Sequence, residues 1–165
     1  MSYNQIPLSF QELLDTELQN LMSTESALML CLSGWKGAGL SKALDQLLRD
    51  YLDLVKTHNE KLNRLWEGEE RKLTTFKNDV TLQLIEDSKS MLDRCTDTEI
   101  REACLLSGIQ KINHLKISGL DTASIIAQRL NLSHPALVLH HMAGDEKDFE
   151  KSFLHLSRDI HNNKA

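Results

Sequence analysis

Apolar residues recur at helical spacing along most of the chain, in five separate runs. The first carries Phe10, Leu14, Leu18, Leu21, Leu28 and Leu32. It opens on Ser9 with Glu12 three residues later, the reciprocal capping pair of a helix start. The glycines Gly34, Gly37 and Gly39 end it. The second carries Leu40, Leu44, Leu47, Tyr51, Leu54, Leu62 and Leu65, and fades at Gly68 into the charged run from Glu69 to Lys72, a solvated loop. A weaker third run holds Val80, Leu84, Ile85, Met91 and Leu92. Thr96 and Glu99 form a second capping pair and open the fourth, with Leu106, Ile109, Ile117, Leu120, Ala127 and Leu130. Pro135, suited to a first helical turn, follows the break after Asn131. The fifth run holds Leu139, Met142, Phe149, Phe153 and Leu156. The pattern predicts helices over 9–33, 40–67, 76–94, 97–131 and 134–160, in one domain and without strands. The polar tail from Asn162 to Ala165 is expected to fray.

The connections add topology. Helices one and two have a short link, as do the last two, so each pair is expected to lie antiparallel. The roughly 30 residues between the two pairs permit a crossover along the length of a bundle, the ferritin-like connectivity of four-helix proteins. The expected fold is therefore all-α, a ferritin-like four-helix bundle with a short fifth crossover helix between helices two and three. Composition agrees: 165 residues with seven glycines, two prolines and 5% aromatics disfavour a sandwich or barrel. The net charge of −5 argues against a nucleic-acid or anionic-membrane binder. No apolar run approaches the ~18 residues of a membrane span, and the first seven residues lack the pattern of a secretory signal. Cys31, Cys95 and Cys104 are odd in number and lack zinc-site spacing. Cys31 and Cys104 read as small buried hydrophobes, and only Cys95 has an adjacent cation, Arg94. The expected setting is reducing and cytoplasmic.

The residues that interrupt the stripes carry the chemistry. In helix one the line 14, 18, 21, 25, 28, 32 turns Glu25 inward. In helix two, 47, 51, 54, 58, 62, 65 does the same for His58. In helix three of the four long ones, 106, 109, 113, 117, 120 brings in Asn113, and in the last, 139, 142, 146, 149, 153, 156 brings in Glu146. Each long helix thus offers one polar group to a common interior. A carboxylate costs several kcal/mol to bury unless it is paired or binds a metal. Two outcomes fit: a di-iron-type site, or a hydrogen-bond network with no ion in it.

The same stretches resemble a known family. Residues 101–119, REACLLSGIQKINHLKISG, are similar to the stretch RDAALIAAAQKVEHYEIAS of the YciE/YciF-type ferritin-like proteins of bacterial stress physiology. Asp145-Glu146-Lys147 resembles that family's EEK, and Ser23-Thr24-Glu25 its SAE or DAE. The segment from Tyr51 to His58 sits on HLEETxxH, and Leu65-Trp66 on a closing IF. The resemblance runs over nearly the whole chain in one register. It implies a helical bundle, commonly a homodimer, with a ferritin-like carboxylate site. Carried over by position, Glu25, His58, Glu146 and Glu150 are the metal-ligand candidates. Leu54, Asn113 and Lys116 stand where the family has acids, which removes the charge that would hold a second ion.

The resulting expectation is a non-enzymatic helical protein of bacterial stress physiology with a largely vestigial interior metal site. No cofactor is expected, with iron or manganese bound only if the site is active. The alternatives are an iron or manganese oxidase using the reduced site, and an adaptor that binds a partner protein's helix. A homodimer is the expected assembly, with no nucleic acid and no membrane among the partners. His141 and Asp145, one turn apart, read as a solvated face, as do His155 and His161. His114 reads as a packing or hydrogen-bonding group. The glycines after Ser33 lack the strand and lysine of a phosphate loop. Trp35 and Trp66 are expected to cap the core or line a dimer contact.

Overall fold

A computed structural model describes residues 9–35, 39–67 and 79–162. They form five helices: α1 (Phe10–Trp35), α2 (Lys42–Glu67), α3 (Asp79–Arg94), α4 (Thr98–Arg129) and α5 (Ser133–Asn162). No strand occurs among the described residues. Gly37, the charged run after Gly68, the first turn expected for α3, the polar tail beyond Asn162 and the side chain of His161 lie outside them.

The helix starts show which local signals decide. At α1 the expected capping pair forms: Glu12 N donates to Ser9 Oγ at 3.1 Å, and the Ser9 hydroxyl donates to Glu12 Oε2 at 2.9 Å. At α4 the cap is one residue later than expected. Asp97, not Thr96, is the N-cap, and its carboxylate accepts from Ile100 N at 3.0 Å; a carboxylate also complements the helix dipole, which a threonine hydroxyl does not. The α2 start is capped from another element. Glu102, 5% exposed on α4, accepts from Ser41 N and, at 3.2 Å, from Ser41 Oγ. Between α4 and α5 the chain reverses through Asn131 at φ 59°, with Leu132 N donating back to Ala127 O at 2.9 Å.

α1 packs against α2 and α4, and α5 packs against α2 and α4, so the four long helices close a cycle. Two apolar clusters fix their directions. One joins Leu14, Leu18 and Leu21 to Leu62 and Leu65, to Leu120 through Ala127, and to Ala136, Leu139 and Met142. The other joins Leu28 and Leu32 to Leu44 through Val55, to Leu105 through Ile112, and to Phe153. The start of α1 therefore meets the ends of α2 and α4 and the start of α5, so α1 runs antiparallel to α2 and α4, and α5 likewise. Trp35 joins one cluster and Trp66 packs against the other, at opposite ends.

α2 and α4 both end at the same side, so the segment between them must travel back along the assembly, and α3 does so on the outer seam of α1 and α4. Its inward line is Thr81, Ile85, Ser88 and Leu92. Val80 and Met91, expected among its apolar contacts, are 61% and 49% exposed. Close approach to α4 is permitted by Gly108, where an added Cβ would lie 2.1 Å from Ser88 Oγ. No helix among the described residues is long and apolar enough to cross a membrane.

Candidate metal centre

A layer of polar residues separates the two apolar clusters. Glu25 lies between Leu21 and Leu28 on α1, and His58 between Val55 and Leu62 on α2. Asn113 and Lys116 lie between Ile112 and Leu120 on α4, and Glu146 between Met142 and Phe153 on α5. All five are 0–1% exposed. Each long helix contributes its expected member. α4 contributes two, because its buried line passes through 113, 116 and 120; Ile117, placed on that line by spacing, is only half-buried.

Glu146 is the hub. Its Oε1 lies 2.5 Å from Lys116 Nζ and 3.0 Å from His58 Nδ1. Its Oε2 accepts from Tyr51 Oη at 2.9 Å and from Asn113 Nδ2 at 2.6 Å. Asn113 Nδ2 also reaches the Glu146 backbone carbonyl at 3.2 Å. Glu25 is served far less well. Its Oε1 lies 3.0 Å from Lys116 Nζ and 3.9 Å from His58 Nδ1, and its Oε2 has no hydrogen-bond partner among the described residues. On its other side His58 turns Nε2 to Asp145 Oδ2 at 3.2 Å, which connects the interior to the half-exposed surface of α5. The Tyr51 ring packs on Phe149 and Phe153 at centroid distances of 5.1 and 5.0 Å, so the phenol is held from both ends.

This asymmetry splits the two acids. Burial pushes the Glu25 carboxyl up to about 7; the neighbouring Glu146 charge adds to that, and Lys116 and His58 only partly oppose it. Burial acts on Glu146 too, but the Lys116 and His58 contacts overcome it and hold the group down to about 2. Burial alone would lower Lys116, yet Glu146 and Glu25 raise it above its ordinary value, so the ammonium keeps its proton. Burial also drives the Tyr51 phenol upward, so it remains a donor.

Of the four metal-ligand candidates, the fold brings three together. Glu25, His58 and Glu146 each offer an atom within 4.8 Å of the others. Glu150 stands apart, with Oε1 3.3 Å from His114 Nε2 on a histidine whose side chain is 62% exposed. Leu54 packs on the edge of the apolar cluster, while Asp53 points to solvent with a 78% exposed side chain and lies 3.4 Å from Lys56, so it supplies no substitute acid. The donors around the triad do not suit a divalent cation. Lys116 already places a fixed positive charge against both carboxylates, and the amide of Asn113 and the phenol of Tyr51 take the remaining oxygen of Glu146. Tyr51 was expected only as a core residue. The signal for its polar role was its spacing: it sits seven residues before His58, on the same face of α2.

Residues 9–165 match the model of a family described as a domain of unknown function, DUF892. The chain belongs to this family. The protein YciF of Escherichia coli K12 is 24% identical over 149 residues, covering 90% of each chain. The crystal structure of that protein, described as an E. coli stress protein, superposes with a TM-score of 0.88 at 22% identity, over 96% of this chain and 100% of that one. YcfI of Rhodopseudomonas palustris superposes with a TM-score of 0.83 at 16% identity, over 92% of this chain and 96% of the other. The YciE/YciF-type resemblance read from the sequence is thereby borne out, and the all-helical architecture with it.

Proposed function

We propose that this protein is a non-enzymatic, ferritin-like helical bundle of bacterial stress physiology, acting as one domain and as a homodimer. In this reading, an internal lysine has taken the place of the metal centre. The observation that carries it is the position of Lys116 Nζ, 3.0 Å from Glu25 and 2.5 Å from Glu146. One ammonium there supplies the positive charge that buried carboxylates need, and needs no ion uptake. The crossover of α3 along the paired helices supports the ferritin-like part, since that connectivity brings one polar side chain from each long helix to a common depth. The stress context rests on the description of the E. coli relative.

The test is metal content. Purified, tag-free protein is loaded anaerobically with Fe(II), freed of loose metal and analysed beside a Glu25→Ala/Glu146→Ala control. The expected result is the same negligible iron in both. About two irons per chain, lost in the control, would overturn the proposal.

One observation favours a second reading, an iron or manganese oxidase: the convergence of Glu25, His58 and Glu146. It would require Lys116 to withdraw and Glu150 to leave His114. Oxygen consumption on Fe(II) addition, abolished by Glu146→Ala, would establish it.

A further inference from the structure

The polar layer leaves one reactive pair of side chains unexplained. α3 and α4 meet through a short turn and pack against each other. Gly108 of α4 faces Ser88 of α3. One turn toward the junction, the same face of α4 presents Cys104. On α3 the corresponding step from Ser88 leads to Leu92, and Cys95 lies three residues further, just past the end of α3, where its backbone N–H donates to Leu92 O at 3.2 Å. The side chains of Cys95 and Cys104 interact there. Both residues are partly exposed. Cys104 was expected to be a buried hydrophobe; it is half-buried instead. Burial raises the Cys104 thiol, but Cys31 sits in a different setting. It is 5% exposed inside an apolar cluster, and burial pushes its thiol up to about 12.

We propose that Cys95 and Cys104 form a dithiol that hydrogen peroxide oxidises to a reversible disulfide across the α3–α4 turn. Cys95, with Arg94 beside it in the chain, is the attacking sulfur. Its thiolate forms an S–O bond as the peroxide O–O bond breaks, and the departing hydroxide leaves as water with the thiol's proton. That yields Cys95 sulfenic acid. The Cys104 sulfur then forms the S–S bond as the S–O bond breaks, and its own proton leaves with the second water. Two thiols lose two electrons, and one peroxide is reduced to two waters. A small external dithiol reverses the step by thiol–disulfide exchange. In a reducing compartment such a bond is transient, which suits a sensor rather than a staple.

The experiment treats the full-length protein with hydrogen peroxide, blocks free thiols under denaturing conditions, and maps peptides by mass. The expected result is a Cys95–Cys104 linked peptide two hydrogens lighter than its parts, reversed by dithiothreitol, with Cys31 still fully alkylated. Cys31→Ser is expected to leave this unchanged. Cys104→Ser is expected to arrest the reaction at a Cys95 sulfenic acid that dimedone traps. Disulfides only between chains, a cross-link to Cys31, Cys95 carried to the sulfinic acid while Cys104 stays free, or no oxidation at all would each overturn the proposal.

Discussion

Leu48 and Lys116 are each 1% exposed, and they sit in adjoining layers of one interior. The leucine layer is non-directional: Leu48 contacts other apolar side chains, and its contribution scales with area removed from water. The polar layer is directional. Lys116 is sustained by two carboxylates and a phenol, and Glu146 and the phenol are in turn held by other partners. Apolar packing can therefore lose a member and shrink around the gap. The polar layer cannot lose its one ammonium without leaving two acids in a place water does not reach.

The comparison breaks most sharply at Lys116. Lys116→Met keeps the length of the stem and removes only the charge, leaving Glu146 and Glu25 facing each other. The expected cost is about 3–5 kcal/mol in urea unfolding, the range for removing one partner of a buried pair. A loss below about 1 kcal/mol would mean that the layer does not act as a coupled unit. Leu48→Ala is the control from the other layer. It is expected to cost about 2–5 kcal/mol, the common range for a buried leucine, and to cost the same at pH 5 and pH 7, since the apolar cluster it belongs to holds no acid or histidine.

How much of this was legible in the sequence follows from how many neighbours each helix has. α1 buries one arc, and its inward line through 14, 18, 21, 25, 28 and 32 is the one that spacing predicted. α4 packs against α1, α3 and α5, so its buried arc is wide. Steps of four, three and four residues from Ile109 fit as well as four, four and three, and apolarity favoured Ile117 over Lys116. A lysine is almost never buried without partners, and its partners here come from 91 residues earlier and 30 later in the chain, beyond any periodicity argument. The resemblance to relatives marked Lys116 as a displaced acid, which periodicity did not. Glu102 escaped for the same reason, because it caps a helix that is distant in sequence.

A smaller effect separates the two acids within the layer. Glu25 is pushed up to about 7 in the folded protein against 4.5 ordinarily, so the folded state binds more protons than the unfolded one between those values. Its contribution to stability is complete below pH 4.5 and is lost as pH rises through about 7, with an upper bound of roughly 3 kcal/mol. Glu146, held down to about 2, acts in the opposite sense: its contribution is present above pH 4.5 and is lost as pH falls toward 2. Glu25→Gln is therefore expected to flatten the decline in stability from pH 5 to 7 while leaving the acid limb intact. A mutant with an unchanged slope over that window would show that Glu25 is already ionised at pH 5.

The smallest effect is also the cleanest contrast with Lys116. Lys147 lies 2.9 and 3.2 Å from the two oxygens of Asp121, a shorter and more symmetric pairing than Lys116 makes with Glu25. Yet the Lys147 and Asp121 side chains are 45% and 39% exposed, so water solvates both ions and salt screens them. Distance alone would rank the surface pair above Lys116–Glu25; burial reverses the order, because removing Lys147 leaves a carboxylate that water accepts at once. Lys147→Ala is expected to cost less than about 1 kcal/mol, and that cost is expected to vanish in 1 M salt. The Lys116→Met loss is expected to persist at the same salt concentration. Parallel unfolding curves for the two variants, at low salt and in 1 M salt, measure the difference directly. Equal salt sensitivity would mean that solvent reaches the polar layer after all.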